Sequence, residues 1–128
     1  MSSDTSKRIL IIEDDPQVRK ILELNLKRLG HEVIVTPEGK QGLRAFIEKG
    51  ADLVITDIIM PEKDGIETIR ELRLIDQNVK IMAISGGGRI GPEGYLKTAS
   101  YLGADFTLEK PFQREDLYQA VKCLLFEV

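Results

Sequence analysis

The sequence predicts a doubly wound α/β fold, one five-stranded parallel sheet with helices on both faces. Three observations predict it. Short apolar runs alternate with helix-periodic segments five times, as strands joined by right-handed crossovers do. The runs Ile9–Ile12, Leu53–Ile55 and Ile81–Ile84 are aliphatic throughout rather than alternating, which suits central strands buried on both faces. Carboxylate or hydroxyl side chains stand just past those runs, at the edge where open parallel sheets bind ligands.

Taken in order, residues 1–6 are a polar tail expected to be flexible. The first strand runs through Arg8-Ile9-Leu10-Ile11-Ile12 into Glu13. Asp15 is placed to cap a helix and Pro16 suits its first position. Val18, Ile21, Leu22, Leu26 and Leu29 follow helical spacing, and Gly30 is the stop. A second strand centres on Val33-Ile34-Val35. The second helix opens after Pro37, carries Leu43, Phe46 and Ile47 as its apolar face, and stops at Gly50; Gly39 and Gly42 each weaken it by roughly 1 kcal/mol relative to Ala. The third strand is Leu53 to Asp57. Asp64-Gly65 signals a turn, and Ile66, Ile69 and Leu72 give a third helix. The fourth strand is Val79 to Ser85, followed by Gly86-Gly87-Gly88 and a long loop to Gly94. Tyr95, Leu96, Ala99 and Leu102 make a short fourth helix. Ala104 to Leu108 is the fifth strand, and Leu117, Ala120, Val121 and Leu124 mark the last helix. With the most apolar strands at the centre, the order 2-1-3-4-5 follows, a flavodoxin-like (βα)5 arrangement.

Composition narrows the function classes. The chain has 128 residues, 42% hydrophobic and 30% charged, which suits one globular domain spanning 7–128. A net charge of −3 argues against a general nucleic-acid or anionic-membrane surface, so neither is an expected partner. No apolar run reaches the roughly 18 residues of a spanning helix, and the polar start lacks the apolar core of a signal peptide. The single Cys123 builds no disulfide framework and falls off the apolar face of its helix. These features point to the cytoplasm. Nothing after Val128 supplies an output module, so a stand-alone domain, a monomer or weak dimer, is expected to act by contact with another protein.

The chemistry gathers at the strand ends. Strand one delivers Glu13 and Asp14, strand three Asp57, strand four Ser85 and strand five Lys110. If the strands neighbour one another, three carboxylates, a hydroxyl and an ammonium share one crevice. Three such carboxylates resist ionising together, and a divalent cation removes the conflict. All-oxygen donors with no His or Cys nearby suit Mg²⁺. A cation on one side of Asp57 and Lys110 on the other would make a phosphoryl site, with Asp57 as nucleophile. Taken singly, each residue has a plainer reading. Asp57 would be a cap or solvated acid, Asp15 a helix cap, Ser85 a strand-end hydroxyl and Lys110 a surface charge. His31, the one histidine, reads as a strand-start surface residue. The glycine run lacks the Lys-Ser/Thr ending of a nucleotide P-loop.

Together, Ile11-Ile12-Glu13-Asp14-Asp15, Thr56-Asp57-Ile58-Ile59-Met60-Pro61 through Asp64-Gly65, Ile84-Ser85-Gly86 and Glu109-Lys110-Pro111-Phe112 resemble the receiver domain of two-component response regulators, over about residues 7–126. The resemblance implies that Asp57 accepts phosphate from a sensor histidine kinase or His-phosphotransfer protein. It implies that Asp14 binds Mg²⁺ directly, Glu13 through water, and Asp57 and the carbonyl of Ile59 as further ligands. Ser85 would move to the phosphoryl group, Lys110 would pair with it, and the bond before Pro111 would be cis. Ser85 and Thr107 occupy the switch positions. The family often carries Tyr or Phe where Thr107 stands, and Thr107 buries far less surface. The loop after Ser85 is longer and richer in glycine than usual, a candidate for ordering on phosphorylation. The implied output surface is the fourth helix, fifth strand and last helix, acting on a downstream protein that the sequence does not name. Alternative readings are a Mg²⁺-dependent phosphatase with an aspartyl nucleophile, whose Asp-x-Asp pair Glu13-Asp14-Asp15 does not match, and a non-phosphorylated scaffold receiver.

Ile59 and Gly87 flank the expected phosphoryl position and have no polar side-chain atom to orient an attacking water. Slow self-hydrolysis of the phosphorylated form is expected. Replacing Ile59 by Asn or Glu should shorten its lifetime, read as the decay of labelled protein after the donor is removed.

Overall fold

The computed structural model describes residues 6–58, 65–85 and 103–126. The elements run β1 (Arg8–Ile12), α1 (Pro16–Arg28), β2 (Glu32–Thr36), α2 (Gly39–Lys49), β3 (Leu53–Asp57), α3 (Gly65–Ile75), β4 (Lys80–Ser85), β5 (Phe106–Glu109) and a C-terminal helix α4 (Arg114–Phe126). All pairings are parallel, and the sheet order is β2-β1-β3-β4-β5, as the apolar ranking of the strands predicts. The helix expected over residues 95–102 lies outside the described residues, as does the long loop after Ser85.

Strand periodicity divides the core in two. Leu10, Ile12, Val54, Ile81 and Ala83 point to one face, where α2 and α3 cover them with Phe46, Ile69 and Leu72. Ile9, Ile11, Leu53, Ile55, Met82 and Ile84 point to the other, under Leu22 and Leu26 of α1 and Leu117, Ala120 and Val121 of α4. Asp15 caps α1 as expected, its Oδ1 accepting from the amides of Gln17 at 2.9 Å and Val18 at 3.5 Å. Gly30 follows α1 at φ 91°, a conformation that suits glycine.

Several expectations are corrected. Ile21 and Ile47 do not face the core; they are 53% and 66% exposed, because the buried stripes of α1 and α2 pass through Leu22, Leu26 and Phe46 instead. His31 is buried rather than on the surface. Its Nδ1 accepts the Lys7 amide at 3.1 Å, and its ring stacks on Phe126 with centroids 6.0 Å apart. Burial and the nearby Lys7 ammonium hold its pKa below the ordinary value. The fifth strand starts at Phe106, not Ala104. Asp105 is occupied otherwise: its carboxylate accepts the Ile81 amide at 2.9 Å and pairs with Arg73 at 2.7 Å. Arg73 also donates to the carbonyl of Gly103, so one guanidinium ties the end of α3 to the approach of β5.

Two glycines are set by close approach rather than by turns. A Cβ on Gly42 would sit 2.3 Å from Cδ1 of the fully buried Ile12, so glycine lets α2 lie against the sheet. A Cβ on Gly65 would sit 2.0 Å from the Asp57 carbonyl oxygen and 2.5 Å from the Ile58 Cα. The Gly65 amide meanwhile donates to the Ile58 carbonyl at 2.7 Å. The start of α3 is therefore pressed against the backbone that carries Asp57. Gly65→Ala should cost about 2–3 kcal/mol in urea unfolding, because the clash is with backbone and cannot be relieved by a rotamer. It should also shift the amide resonances of Asp57 and Ile58.

Candidate functional site

The sheet register brings the acids together. Ile12 pairs with Thr56, which sets Glu13, one step past β1, abreast of Asp57 at the end of β3. Asp57 in turn pairs with Ile84, and Leu108 lies beside Ile84 on the far side. Side chains alternate along strands, so Glu13 continues the parity of Ile9 and Ile11, Asp57 that of Leu53 and Ile55, and Lys110 that of Phe106 and Leu108. All three follow the face covered by α1 and α4. Lys110 is two steps beyond Leu108, and its length makes up the distance.

The geometry is tight. Lys110 Nζ donates to Asp57 Oδ2 at 3.2 Å and lies 3.1 Å from Glu13 Oε1. The second contact has ion-pair distance but not the direction of a hydrogen bond, so Glu13 Oε1 has no hydrogen-bond partner among the described residues. Glu13 and Asp57 are 1% and 7% exposed. Asp14 completes a group in which one oxygen from each of the three carboxylates lies within 4.8 Å of the others. The remaining groups of Glu13 are all engaged. Its amide donates to the Thr36 carbonyl at 3.0 Å, its carbonyl accepts from Arg19 Nη1 at 2.9 Å, and its Oε2 accepts the Asp15 amide at 3.1 Å.

The electrostatics follow from this crowding. Burial, then the Asp57 carboxylate, push the Glu13 carboxyl from 4.5 up to about 7, against the pull of Lys110 and the Asp15 amide. Burial disfavours the Lys110 ammonium, yet Asp57 and Glu13 outweigh it and hold its pKa above the ordinary value. A buried carboxylate oxygen without a hydrogen bond, in a cluster that resists full ionisation, could hold a cation. The donor set is all oxygen, which fits Mg²⁺.

Of the predicted site residues, Glu13, Asp14, Asp57 and Lys110 are brought together. Ser85 ends β4 with its backbone paired to Glu109, and its side chain lies outside the described residues. Ile59 lies outside them as well. Thr107 sits in β5 beside Ala83, one register step before Asp57 and two strands from it, lining a groove with Phe106, Asp116, Gln119 and Cys123. The Lys110–Pro111 bond is cis. An apolar groove of about 390 Å³ lined by Leu29, His31, Tyr118 and Phe126 lies by the opposite sheet edge and is no part of this site. Sequence reasoning missed Arg19 and Gly65. The available signals were a cation in the first turns of α1, where the helix dipole disfavours one, and a glycine eight residues after the acid.

The family model for the response regulator receiver domain matches residues 9–122. The chain belongs to the response regulator receiver family. It is 33% identical over 122 residues to a probable transcriptional regulator, ycf27, of Guillardia theta, covering 95% of this chain and 46% of that protein. It is 35% identical over 121 residues to the transcriptional regulatory protein PrrA of Mycobacterium tuberculosis, covering 94% of this chain and 51% of that one. The receiver thus spans about half the length of these relatives. Among solved structures it is similar to a putative response regulator from Chloroflexus aurantiacus, with a TM-score of 0.86, 28% identity and coverage of 94% and 98%. A CheY-like receiver from Methanospirillum hungatei gives a TM-score of 0.87 at 26% identity, covering 94% of each chain. Among the described residues, no helix is long and apolar enough to cross a membrane.

The raised Glu13 pKa carries a sign. The folded state holds this proton longer than the unfolded chain, so the stability it supplies is full below pH 4.5 and is lost as pH rises through about 7. In metal-free protein that loss is on the order of 3 kcal/mol. Glu13→Gln should remove it. Urea unfolding in chelator should show the variant more stable than the parent above pH 7 and the two converging toward pH 4.5.

Proposed function

We propose that this receiver is a phosphorylation-controlled switch with Asp57 as its phosphoacceptor, charged by a sensor histidine kinase or a His-phosphotransfer protein. The observation that carries the reading is the ion pair of Lys110 with Asp57 beside the under-bonded Glu13. Transfer breaks the N–P bond of the donor phosphohistidine and forms a P–O bond to an Asp57 carboxylate oxygen; the donor imidazole leaves with the electron pair.

Each residue has a task. Asp57 supplies the attacking oxygen, and its position at the end of β3 fixes the line of approach. Lys110 orients that carboxylate before transfer and pairs with the phosphoryl oxygens after it. Glu13 and Asp14, with Asp57, would hold Mg²⁺; the bound cation supplies neutralisation of the phosphoryl charge and of the mutual repulsion of the acids. Ser85 is the hydroxyl proposed to follow the new charge. An apolar groove of about 430 Å³ lined by Val18, Ile21, Pro111 and Phe112 opens beside Lys110 and offers a donor protein a place to rest.

Phosphorylation adds nearly two negative charges to a pocket already short of cations. Lys110 leaves Glu13 to serve the phosphoryl group, and Ser85 and the segment after it reorganise. The surface of β5 and α4, which includes Thr107, then selects a partner protein. Its readout rests on polar contact, because Thr107 lacks the aromatic bulk common in the family. The transcriptional names of the relatives make control of transcription by a whole protein carrying this receiver a compatible role; the receiver surface itself, at net charge −3, is proposed to meet protein rather than nucleic acid.

Phosphotransfer from a panel of autophosphorylated histidine kinases tests the reading. Wild type should take label from at least one donor in the presence of Mg²⁺. Asp57→Asn should take none, and Lys110→Ala should accept label while losing the phosphorylation-dependent amide shifts around Thr107. Label retained in Asp57→Asn would refute it.

A further inference from the structure

Arg19 lies on α1, one turn from the acids, and nothing in the phosphoacceptor reading requires it. Its placement runs against local preference. The first turns of a helix carry positive partial charge, and a cation there is disfavoured by about 0.3–1 kcal/mol. Asp15 caps α1, but no acid lies inside its first turn. The half-buried Arg19 side chain instead turns back past the helix start, and Nη1 donates to the Glu13 carbonyl at 2.9 Å. Its own amide donates to the Asp15 carbonyl at 2.9 Å, so the residue holds the β1–α1 turn from two points.

The consequence falls on Glu13. With its amide on Thr36, its carbonyl on Arg19 and its Oε2 on the Asp15 amide, this residue has little freedom to turn. A buried carboxylate that shares one ammonium with a second carboxylate would otherwise relax toward solvent. Held this way, it leaves Oε1 without a hydrogen bond and close to Asp57 and Lys110. Removing the Arg19 donor frees the Glu13 carbonyl and loosens the turn that carries both Glu13 and Asp14.

We infer that Arg19 is a positioning residue for the cation site: it acts through the Glu13 carbonyl to hold the Glu13 and Asp14 carboxylates in their converged arrangement. This rests on the Mg²⁺ reading of the site and extends it to a side chain that touches neither metal nor phosphoryl group. Removal of residues that orient ligands typically lowers metal affinity 10- to 100-fold.

Charge alone predicts the opposite sign. Arg19 is a cation near a cation site, so deleting it by Coulomb effects would raise Mg²⁺ affinity. Calorimetric Mg²⁺ titration of wild type, Arg19→Met, Arg19→Lys and Lys20→Met separates the two. Lys20→Met removes the same charge from the neighbouring exposed position. The expected result is an affinity about tenfold lower in Arg19→Met, partly restored in Arg19→Lys, and unchanged or slightly raised in Lys20→Met. A second readout needs no metal: amide exchange at Asp15, which donates to Glu13 Oε2, should quicken in Arg19→Met while that of the sheet core does not. Affinity unchanged or raised in Arg19→Met, beside a wild type that binds, would overturn the role of Arg19 alone. A wild type that binds no Mg²⁺ would overturn the cation reading and this role with it, whereas the Asp15 exchange would still report whether Arg19 holds the turn.

Discussion

Two buried carboxylates within reach of a single ammonium set the terms for everything around them. Glu13 and Asp57 are almost wholly removed from water, and Lys110 stands between them. One ammonium is shared by two anions in a low-dielectric pocket, and burial together with the Asp57 carboxylate raises the Glu13 pKa to about 7. The pocket is therefore poised to accept positive charge. On the proposed function, a bound cation would supply the surplus needed to accept an anionic phosphoryl group. On the function proposed above, the imbalance that disfavours the metal-free protein is what Mg²⁺ would relieve and a phosphoryl group would exploit.

The fold maintains this tension from several sides. Parallel register places residues 13 and 57 abreast. Gly65 allows α3 to start against the Asp57 backbone, with no room for that strand end to retreat. Asp15 both caps α1 and donates its amide to Glu13, linking the start of a helix to the orientation of a site carboxylate. Arg19 and Thr36 secure the Glu13 main chain. On the far side, Arg73 fastens the approach to β5 and so the strand that presents Lys110. These are ordinary stabilising contacts, and their joint effect is to prevent relaxation of an unfavourable charge arrangement.

Much of this was legible in the sequence because two short-period signals carry it. Continuous aliphatic runs gave the central strands and thereby the sheet order, and the two-residue strand period puts 13, 57 and 110 on one face once neighbours are known. Asp15-Pro16 and Gly30 gave the limits of α1 from local chemistry alone. What escaped depends on contacts between residues distant in sequence. Ile21 and Ile47 have core-like character, and only the packing angle of their helices turns them outward. His31 looked like a surface residue because its partners, Lys7 and Phe126, are far along the chain. Gly42 and Gly65 looked like helix weakness and a turn, while both are required by atoms of other elements. The start of β5 moved because Asp105 is claimed by Arg73 and Ile81. The role of Arg73 has no local signature at all.

The claim underlying the account is that these acids and this amine form one acyl-phosphate pocket centred on residue 57. Borohydride reduction of protein phosphorylated in the presence of Mg²⁺, followed by peptide mass mapping, tests it most directly, because the reagent converts an aspartyl phosphate to homoserine at its own position. The account predicts homoserine at position 57 alone, and none when the cation is chelated. Homoserine at another acid, or phosphate recovered on a hydroxyl with Asp57 unchanged, would contradict it.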